Sequence, residues 1–98
     1  MRAYVLVDID VKDPEGFGRY VRDVSPVLER WGARYLVRGG DVEVLEGSWD
    51  HHRVVLLEFP SRAVAQAFYA SEEYMPLLKL RLESTESTLA IMEGWEPG

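Results

Sequence analysis

The sequence predicts an α+β fold in which helices cover one face of an antiparallel β-sheet, and three observations support this. Apolar residues alternate with a period of two from Ala3 to Val11, and an apolar run from Arg53 to Phe59 is also typical of a strand. The segments that follow these runs repeat their apolar residues at helical spacing. The length of 98 residues allows a single domain, which we expect to span residues 1–98.

A strand and a helix open the chain. In the first strand, Ala3 to Val11, the even-numbered positions form one face, namely Tyr4, Leu6, Asp8 and Asp10, while apolar residues form the other. Asp13 is a candidate N-cap, Pro14 suits the first helical position, and Gly32 ends the pattern. The apolar residues between them recur at helical spacing: Phe17, Tyr20, Val21, Val24, Leu28 and Trp31.

Two further strands follow, joined by a long connection. Ala33 to Arg38 predicts the second strand and Arg53 to Phe59 the third. Gly39 and Gly40 allow a sharp bend between them. The alternation from Val42 to Glu46 predicts a short additional ribbon, in which Glu43 and Glu46 would form a cross-strand surface network with Arg53.

Helical segments and a last strand complete the chain. Ser61 predicts an N-cap for a helix that runs through Ala70, and helix capping accounts for this serine without a nucleophilic role. A second helical pattern from Ser71 carries Tyr74, Leu77, Leu78 and Arg81, and residues 88–93 predict the last strand. The order β-α-β-β-α-β is that of the ferredoxin-like split βαβ motif, which places both helical segments on one side of the sheet.

One face of the predicted sheet is therefore left without helices. That face carries a contiguous apolar set: Tyr4, Leu6, Leu36, Val54, Leu56, Ala90 and Met92. An apolar surface of this kind is too large to leave in water, and the chain has no third layer to cover it. We therefore expect a homodimer in which a second copy of the sheet packs on this open face.

Composition restricts the partners. The net charge of -6 removes the electrostatic attraction that phosphate backbones need, so nucleic acid is not an expected partner. No apolar run approaches the ~20 residues of a membrane span, and the chain enters a strand directly without a signal-peptide pattern. The absence of cysteine excludes thiolate chemistry and fits a reducing compartment, so we expect a cytoplasmic protein.

The best chemical candidates are three charged residues on the predicted open face. Glu58 and Asp8 supply carboxylates that can act as a general acid or base, and Arg38 can hold an anionic substrate. In the ferredoxin-like order, the third strand lies between the first and the second, which would bring these residues together. The same residues can instead form ion pairs that make charge tolerable at a dimer seam.

A second set of candidates could line a pocket for a small anionic metabolite. It consists of aromatic and imidazole side chains near the sheet edge: Trp49, His52, Tyr69 and Tyr74. The adjacent His51 and His52 lack the spacing that directs two imidazoles at one metal, so we expect no metal and no cofactor.

Four segments carry a resemblance to a known family: residues 3–9, 34–40, 44–49 and 57–61. Together they resemble the family catalogued as domain of unknown function 1330. Membership implies a dimeric α/β barrel, a superfamily that includes cofactor-free oxygenases, small-molecule isomerases and haem enzymes. The family has no assigned reaction, so the resemblance supplies a fold and a dimer and only an analogy for function.

Two functions of different classes follow from these residues. The first is a small-molecule enzyme without a bound cofactor, with Glu58 as acid or base and Arg38 as an anion clamp in a cleft between sheet and helices. The second is a non-catalytic ligand-binding or structural homodimer, in which the same charged residues hold the interface together.

Overall fold

The computed structural model describes residues 1–97 as four strands and three helices. In chain order these elements are β1 (Ala3–Val11), α1 (Pro14–Arg30), β2 (Arg34–Arg38), β3 (Arg53–Phe59), α2 (Arg62–Tyr69), α3 (Met75–Ser84) and β4 (Thr85–Glu93). The predicted element order is confirmed, with α2 and α3 together forming the second helical connection.

The four strands form one antiparallel sheet in the order β2-β3-β1-β4. Val5 in the central strand β1 lies opposite Leu57 of β3 and Ile91 of β4. The prediction that β3 lies between β1 and β2 is therefore confirmed, and the fold is the ferredoxin-like α+β fold.

The hydrophobic core lies between the helices and one face of the sheet, here called the helix face. Alternate residues of β1 and β3 point into it, because successive side chains of a strand point to opposite faces. Helices contribute Val24, Leu28 and Phe68, each at most 6% exposed. The strands contribute buried residues at odd-numbered positions: Ala3, Val5, Val7, Ile9, Val55, Leu57 and Phe59.

The opposite face of the sheet, here called the open face, has no helix on it. Leu6 lies between Leu56 and Ala90 in the register, and Tyr4 between Glu58 and Met92. The β4 residues of this face are exposed, with Met92 at 43%. The shape agrees with a helix layer on a sheet, since the principal extents are 45 × 39 × 16 Å.

Two predicted details are wrong. Residues 40–52 form an irregular loop, so the ribbon from Val42 to Glu46 is absent. The predicted network of Glu43 and Glu46 with Arg53 is absent as well, because no carboxylate of residues 1–97 lies within 4 Å of the Arg53 guanidinium. The second error concerns β4, which begins at Thr85 and not at residue 88. Its first three residues are polar and follow α3 directly, so they show no apolar alternation.

The described part of the chain contains no helix that combines the length and apolar character needed to cross a bilayer.

Candidate functional site

The predicted trio of Asp8, Arg38 and Glu58 does not form one site. A β-bulge in β2 is the reason: Tyr35 lies opposite Leu57, but the next register partner, Val37, lies opposite Leu56. One extra residue on one strand moves every later side chain to the other face. Arg38 consequently lies opposite Val55 on the helix face, and its predicted place on the open face is wrong.

Glu58 lies on the open face, with two other arginines as its partners. Arg34 Nε donates to Glu58 Oε1 over 2.9 Å, and Arg2 Nε lies 3.4 Å from the same oxygen. The Glu58 side chain is 13% exposed, whereas both arginine side chains are mostly exposed. The groove around these groups, about 520 Å³, lies at the end of the sheet, not between sheet and helices. Glu58 is therefore outside the cleft in which it was predicted to act.

Asp8 shares the open face with Glu58 but lies toward the other end of the sheet. Asp8 is four residues from Tyr4, which lies opposite Glu58 in the neighbouring strand. Four residues correspond to about 13 Å along a strand. Asp8 Oδ1 accepts a hydrogen bond from the His52 backbone N–H at 2.8 Å. The carboxylate thus fastens the end of the 40–52 loop to the sheet.

A polar groove of about 260 Å³ surrounds this contact. His52 Nε2 lies 3.7 Å from Asp10 Oδ2, and Lys12 Nζ lies 2.8 Å from the same oxygen. The hydrogen bond from Lys12 holds the pKa of Asp10 below its ordinary value. Within residues 1–97, no group of three or more carboxylate and imidazole side chains is arranged to hold a metal ion.

Of the four predicted pocket residues, Tyr69 and Tyr74 come together. Their ring centroids are 6.0 Å apart, and both line an internal cavity of about 30 Å³ on the helix face, here called the tyrosine cavity. His52 lies on the open face instead. Trp49 is 46% exposed and packs edge-on against His51, so neither it nor His52 contributes to this cavity.

Two phenols in the lining of the tyrosine cavity are hydrogen-bonded to each other and backed by a guanidinium outside the lining. The hydroxyl groups of Tyr20 and Tyr74 are hydrogen-bonded at 2.8 Å. Behind them, Arg81 Nε donates to the Tyr74 hydroxyl over 3.4 Å, and Arg81 Nη1 donates to Ser87 Oγ. Arg81 is only 2% exposed, and no carboxylate of residues 1–97 lies within 4 Å of it. Buried cations are usually paired, so this one lacks its ordinary partner.

Tyr20 remains protonated in this environment. Burial, reinforced by the adjacent Tyr74, raises the pKa of the Tyr20 phenol far above its ordinary value of 10.0. The Tyr20 hydroxyl is therefore available as a neutral hydrogen-bond donor or acceptor throughout the physiological range.

A larger groove adjoins the tyrosine cavity. Tyr69, Leu89 and Ile91 line both, while Arg62 and Gln66 on α2 line the groove only. The groove measures about 460 Å³, within the range of small-molecule sites, whereas the cavity has room for about two waters. A ligand could thus place a polar head group in the cavity and its body in the groove.

Comparison with known proteins identifies the family. Residues 2–95 match the family model described as Domain of unknown function (DUF1330). The chain belongs to this family. No curated protein matches the chain.

Solved structures of the same fold come from several bacteria. A protein of unknown function from Rhodopseudomonas palustris is 24% identical, with a TM-score of 0.75 over 98% of this chain and 84% of that one. A dimeric ferredoxin-like protein of unknown function from Jannaschia sp. CCS1 is 12% identical, with a TM-score of 0.66 over 96% and 100%. SnoaB, a cofactor-independent oxygenase from Streptomyces nogalater, is 11% identical, with a TM-score of 0.62 over 98% and 95%. At these identities the comparisons show the fold.

Sequence reasoning missed Tyr20, Arg81 and Arg34 as candidate site residues. Tyr20 and Arg81 both stood in the helical apolar patterns, where a hydroxyl or a guanidinium among Leu and Val side chains was the available signal. Arg34 gave no such signal, because its pairing with Glu58 depends only on strand register.

Proposed function

We propose that this family member is a small-molecule enzyme that acts in the tyrosine cavity without a resident cofactor. Its substrate carries an acidic phenol that loses its proton to solvent, and the protein stabilises the negatively charged oxygen of the ionised form. The observation that carries the proposal is the hydroxyl pair of Tyr20 and Tyr74 at the wall of an apolar cavity, backed by a buried guanidinium without a carboxylate partner among residues 1–97.

The chemistry follows from the groups that line the cavity. Hydrogen-bond donors fixed in an apolar, water-poor site stabilise a developing oxyanion more strongly than they would in water. The bond between Tyr20 and Tyr74 uses one of their two hydroxyl protons, so one of the two phenols can donate the other proton to such an oxygen, and Arg81 supplies the positive charge through the Tyr74 hydroxyl. The lining contains no carboxylate and no imidazole, so the described residues favour charge stabilisation over proton abstraction.

The fold supports an enzymatic function by analogy. SnoaB, described as a cofactor-independent oxygenase, has the same architecture over nearly the whole of both chains. Because an architecture can host many reactions, this similarity supports the proposal without specifying a reaction.

The proposed enzyme works as a homodimer formed through the open face. Apart from Val54, the apolar residues of that face remain partly or fully exposed in the single chain, and the solved relative from Jannaschia is described as dimeric. In this arrangement Glu58, Arg34 and Arg2 belong to the dimer seam. This retains the interface role predicted as the alternative for Glu58 and separates it from the ligand site.

The test uses 4-nitrophenol as the probe, because its phenolate absorbs visible light and its phenol does not. We expect the protein to bind the phenolate preferentially, so that visible absorbance rises at a pH below the probe's free pKa. Tyr74→Phe removes one hydroxyl while keeping the ring, and we expect it to weaken phenolate binding at least about tenfold, as loss of a hydrogen bond to a charged group does. Tyr35→Phe, outside this cavity, is the matched control.

The non-catalytic alternative makes a different prediction. A ligand-binding protein whose site does not stabilise an oxyanion would take the phenol and the phenolate equally, with no rise in visible absorbance. A purely structural dimer would bind neither. Equal phenolate affinity in Tyr74→Phe and in the unchanged protein would contradict the proposed site.

A further inference from the structure

A second internal cavity lies on the helix face, toward the edge strand β2. It measures about 40 Å³, and its polar lining comes from Tyr20, Tyr35, Arg38 and Arg53. Tyr20 also lines the tyrosine cavity, so this side chain stands between the two spaces. The tyrosine cavity has no arginine in its lining, whereas this one, here called the arginine cavity, has two.

Arg53 has an unsatisfied donor inside the protein. Its Nε atom is buried, and no acceptor among residues 1–97 lies within hydrogen-bonding distance. The guanidinium is held 5.8 Å from the ring centroid of Phe17 and directly against the backbone of Gly39. A buried donor without a partner costs about 1–3 kcal/mol, so contacts within the described chain do not account for this position.

Arg38 brings a second positive charge to the same cavity. Its guanidinium lies 4.8 Å from the ring centroid of Tyr35, and the residue is exposed at the edge of the sheet. No carboxylate of residues 1–97 lies within 4 Å of Arg38 or Arg53, although the chain has 17 acidic residues. Two cations at one cavity repel each other unless an anion lies between them.

We propose that the arginine cavity binds the carboxylate group of a small organic acid. The buried Nε–H of Arg53 donates to one carboxylate oxygen, and the exposed guanidinium of Arg38 closes on the other from the edge of the sheet. Guanidinium groups match the planar, two-oxygen geometry of a carboxylate, and such charge-assisted bonds are among the stronger ones in proteins. A volume of about 40 Å³ suits the head group of the acid, with its body toward solvent. This site is separate from the tyrosine cavity and does not depend on the function proposed there.

The test observes the Nε–H groups of the arginines directly by ¹H–¹⁵N NMR during titration with sodium acetate. We expect one Nε–H resonance to move saturably with acetate and to stay in place with sodium chloride at equal ionic strength. Arg53→Lys assigns that resonance by removing it. We expect Arg38→Gln to weaken acetate binding at least tenfold. Arg62→Gln, in the groove beside the tyrosine cavity, should leave acetate binding unchanged.

A pair of glycine variants tests the position of Arg53 without altering either cation. A Cβ at Gly39 would collide with the Arg53 guanidinium, whereas a Cβ at Gly47 would meet nothing within 4 Å. Both glycines have positive φ angles, 71° and 74°, so alanine brings similar backbone strain to each. We expect Gly39→Ala to abolish the acetate response and Gly47→Ala to keep it.

Three results would overturn the proposal. The first is an Arg53 Nε–H resonance that does not move with acetate in the unchanged protein. The second is a response in Arg38→Gln and in Gly39→Ala that equals the response of the unchanged protein, which would place the acetate elsewhere. The third is a saturable response to inorganic phosphate with none to acetate, which would contradict the assignment to a carboxylate. All three are independent of nitrophenol binding, so failure here is distinguishable from failure of the tyrosine cavity.

Discussion

Single side chains form hydrogen bonds with the backbone at points where helices begin. Ser61 is one of them, since its Oγ accepts a hydrogen bond from the Val64 backbone N–H at 3.1 Å at the start of α2. Ser71 has a similar position before α3, where its Oγ accepts from the Tyr74 backbone N–H at 3.1 Å. The Ser61 bond satisfies a donor that the first turn of α2 leaves free, and the Ser71 bond holds the turn that precedes α3.

Ser61→Ala should lower the free energy of unfolding by about 1 kcal/mol, because the N-terminal N–H of α2 loses its acceptor. Urea denaturation followed by circular dichroism measures the change. Ser48→Ala, in the irregular loop, is the control and should alter stability by less than about 0.5 kcal/mol. Since Ser61 caps a helix and attacks no substrate, phenolate binding by the folded protein should remain unchanged. A loss of binding at full folding would contradict the capping role.

Glu58 is the residue whose role changed most between sequence and structure. Two guanidinium groups share one of its oxygens at the end of the open face, away from both cavities. Pairs in which the guanidinium is mostly exposed contribute about 0–1 kcal/mol to a protomer, but they become more consequential when a partner surface excludes water.

Glu58→Gln should therefore weaken self-association while leaving protomer stability within about 1 kcal/mol. Sedimentation equilibrium measures the dimer dissociation constant, and denaturation measures stability. Glu83→Gln is a suitable control, because Glu83 pairs with Lys79 on the surface of α3, at 3.9 Å. A Glu58→Gln protein that dimerises normally but fails to bind nitrophenolate would restore the acid–base role to Glu58.

At the level of whole elements, the period-two sequence patterns correctly predicted most of the strands of the sheet. The bounds of β1 and β3 were predicted without error, because both strands bury one complete face. Strand β2 lies at the edge and is mostly exposed, so burial does not impose a register on its five residues. The sequence Arg34 to Arg38 contains no glycine or other local mark of a bulge, and strict alternation therefore placed Arg38 on the wrong face.

The candidate site was predictable only in part for a related reason. Tyr69 and Tyr74 were found because aromatic residues with a polar tip are recognised as pocket candidates. Arg81 and Arg53 were not, since an arginine is by default assigned to solvent or to an ion pair. Their importance depends on the absence of a nearby carboxylate, which is a property of three-dimensional packing and not of local sequence.

The Glu73 side chain links two helical segments, and this link is here called the clamp. Its contribution to the free energy of unfolding should depend on pH. Glu73 accepts hydrogen bonds from Arg30 Nη2 at 3.0 Å and from Trp31 Nε1 at 3.1 Å, and so joins the end of α1 to the connection before α3. The bond from Arg30, followed by that from Trp31, lowers the pKa of Glu73 below its ordinary value of 4.5.

Because this pKa is lowered on folding, the clamp stabilises the protein above the ordinary value and is lost as pH falls through the lowered one. The stability advantage of the unchanged protein over Glu73→Gln should therefore be present near neutral pH and disappear at acidic pH, below 4.5. Urea midpoints across this range measure it, together with the Trp31 indole N–H resonance. Glu72→Gln is the neighbouring control. An advantage that persists unchanged into acid would contradict the clamp.

The whole molecule is a sheet with helices on one side only. Its smallest extent, 16 Å, leaves no room for a third layer, and the open face presents Leu6, Leu56 and Met92 to its surroundings. A second copy is the cover that this chain itself can supply.

Leu56→Glu should convert the dimer to a monomer, because it places a charge at the centre of the open face next to Leu6. Light scattering on a size-exclusion peak should give twice the 11.2 kDa protomer mass for the unchanged protein and the single mass for the variant. Leu82→Glu is the matched control, since Leu82 is 58% exposed on α3, and it should remain dimeric. A monomeric mass for the unchanged protein at micromolar concentration would contradict the dimer.

The bulge in β2 also has an evolutionary consequence. In a relative whose second strand paired without the bulge, Leu36 would lie opposite Leu56 and Arg38 opposite Val54, so the Arg38 guanidinium would be on the outer side of the sheet. Two relatives that differ in this pairing would share a fold but not a ligand preference, because only one of them would keep both cations at the same cavity.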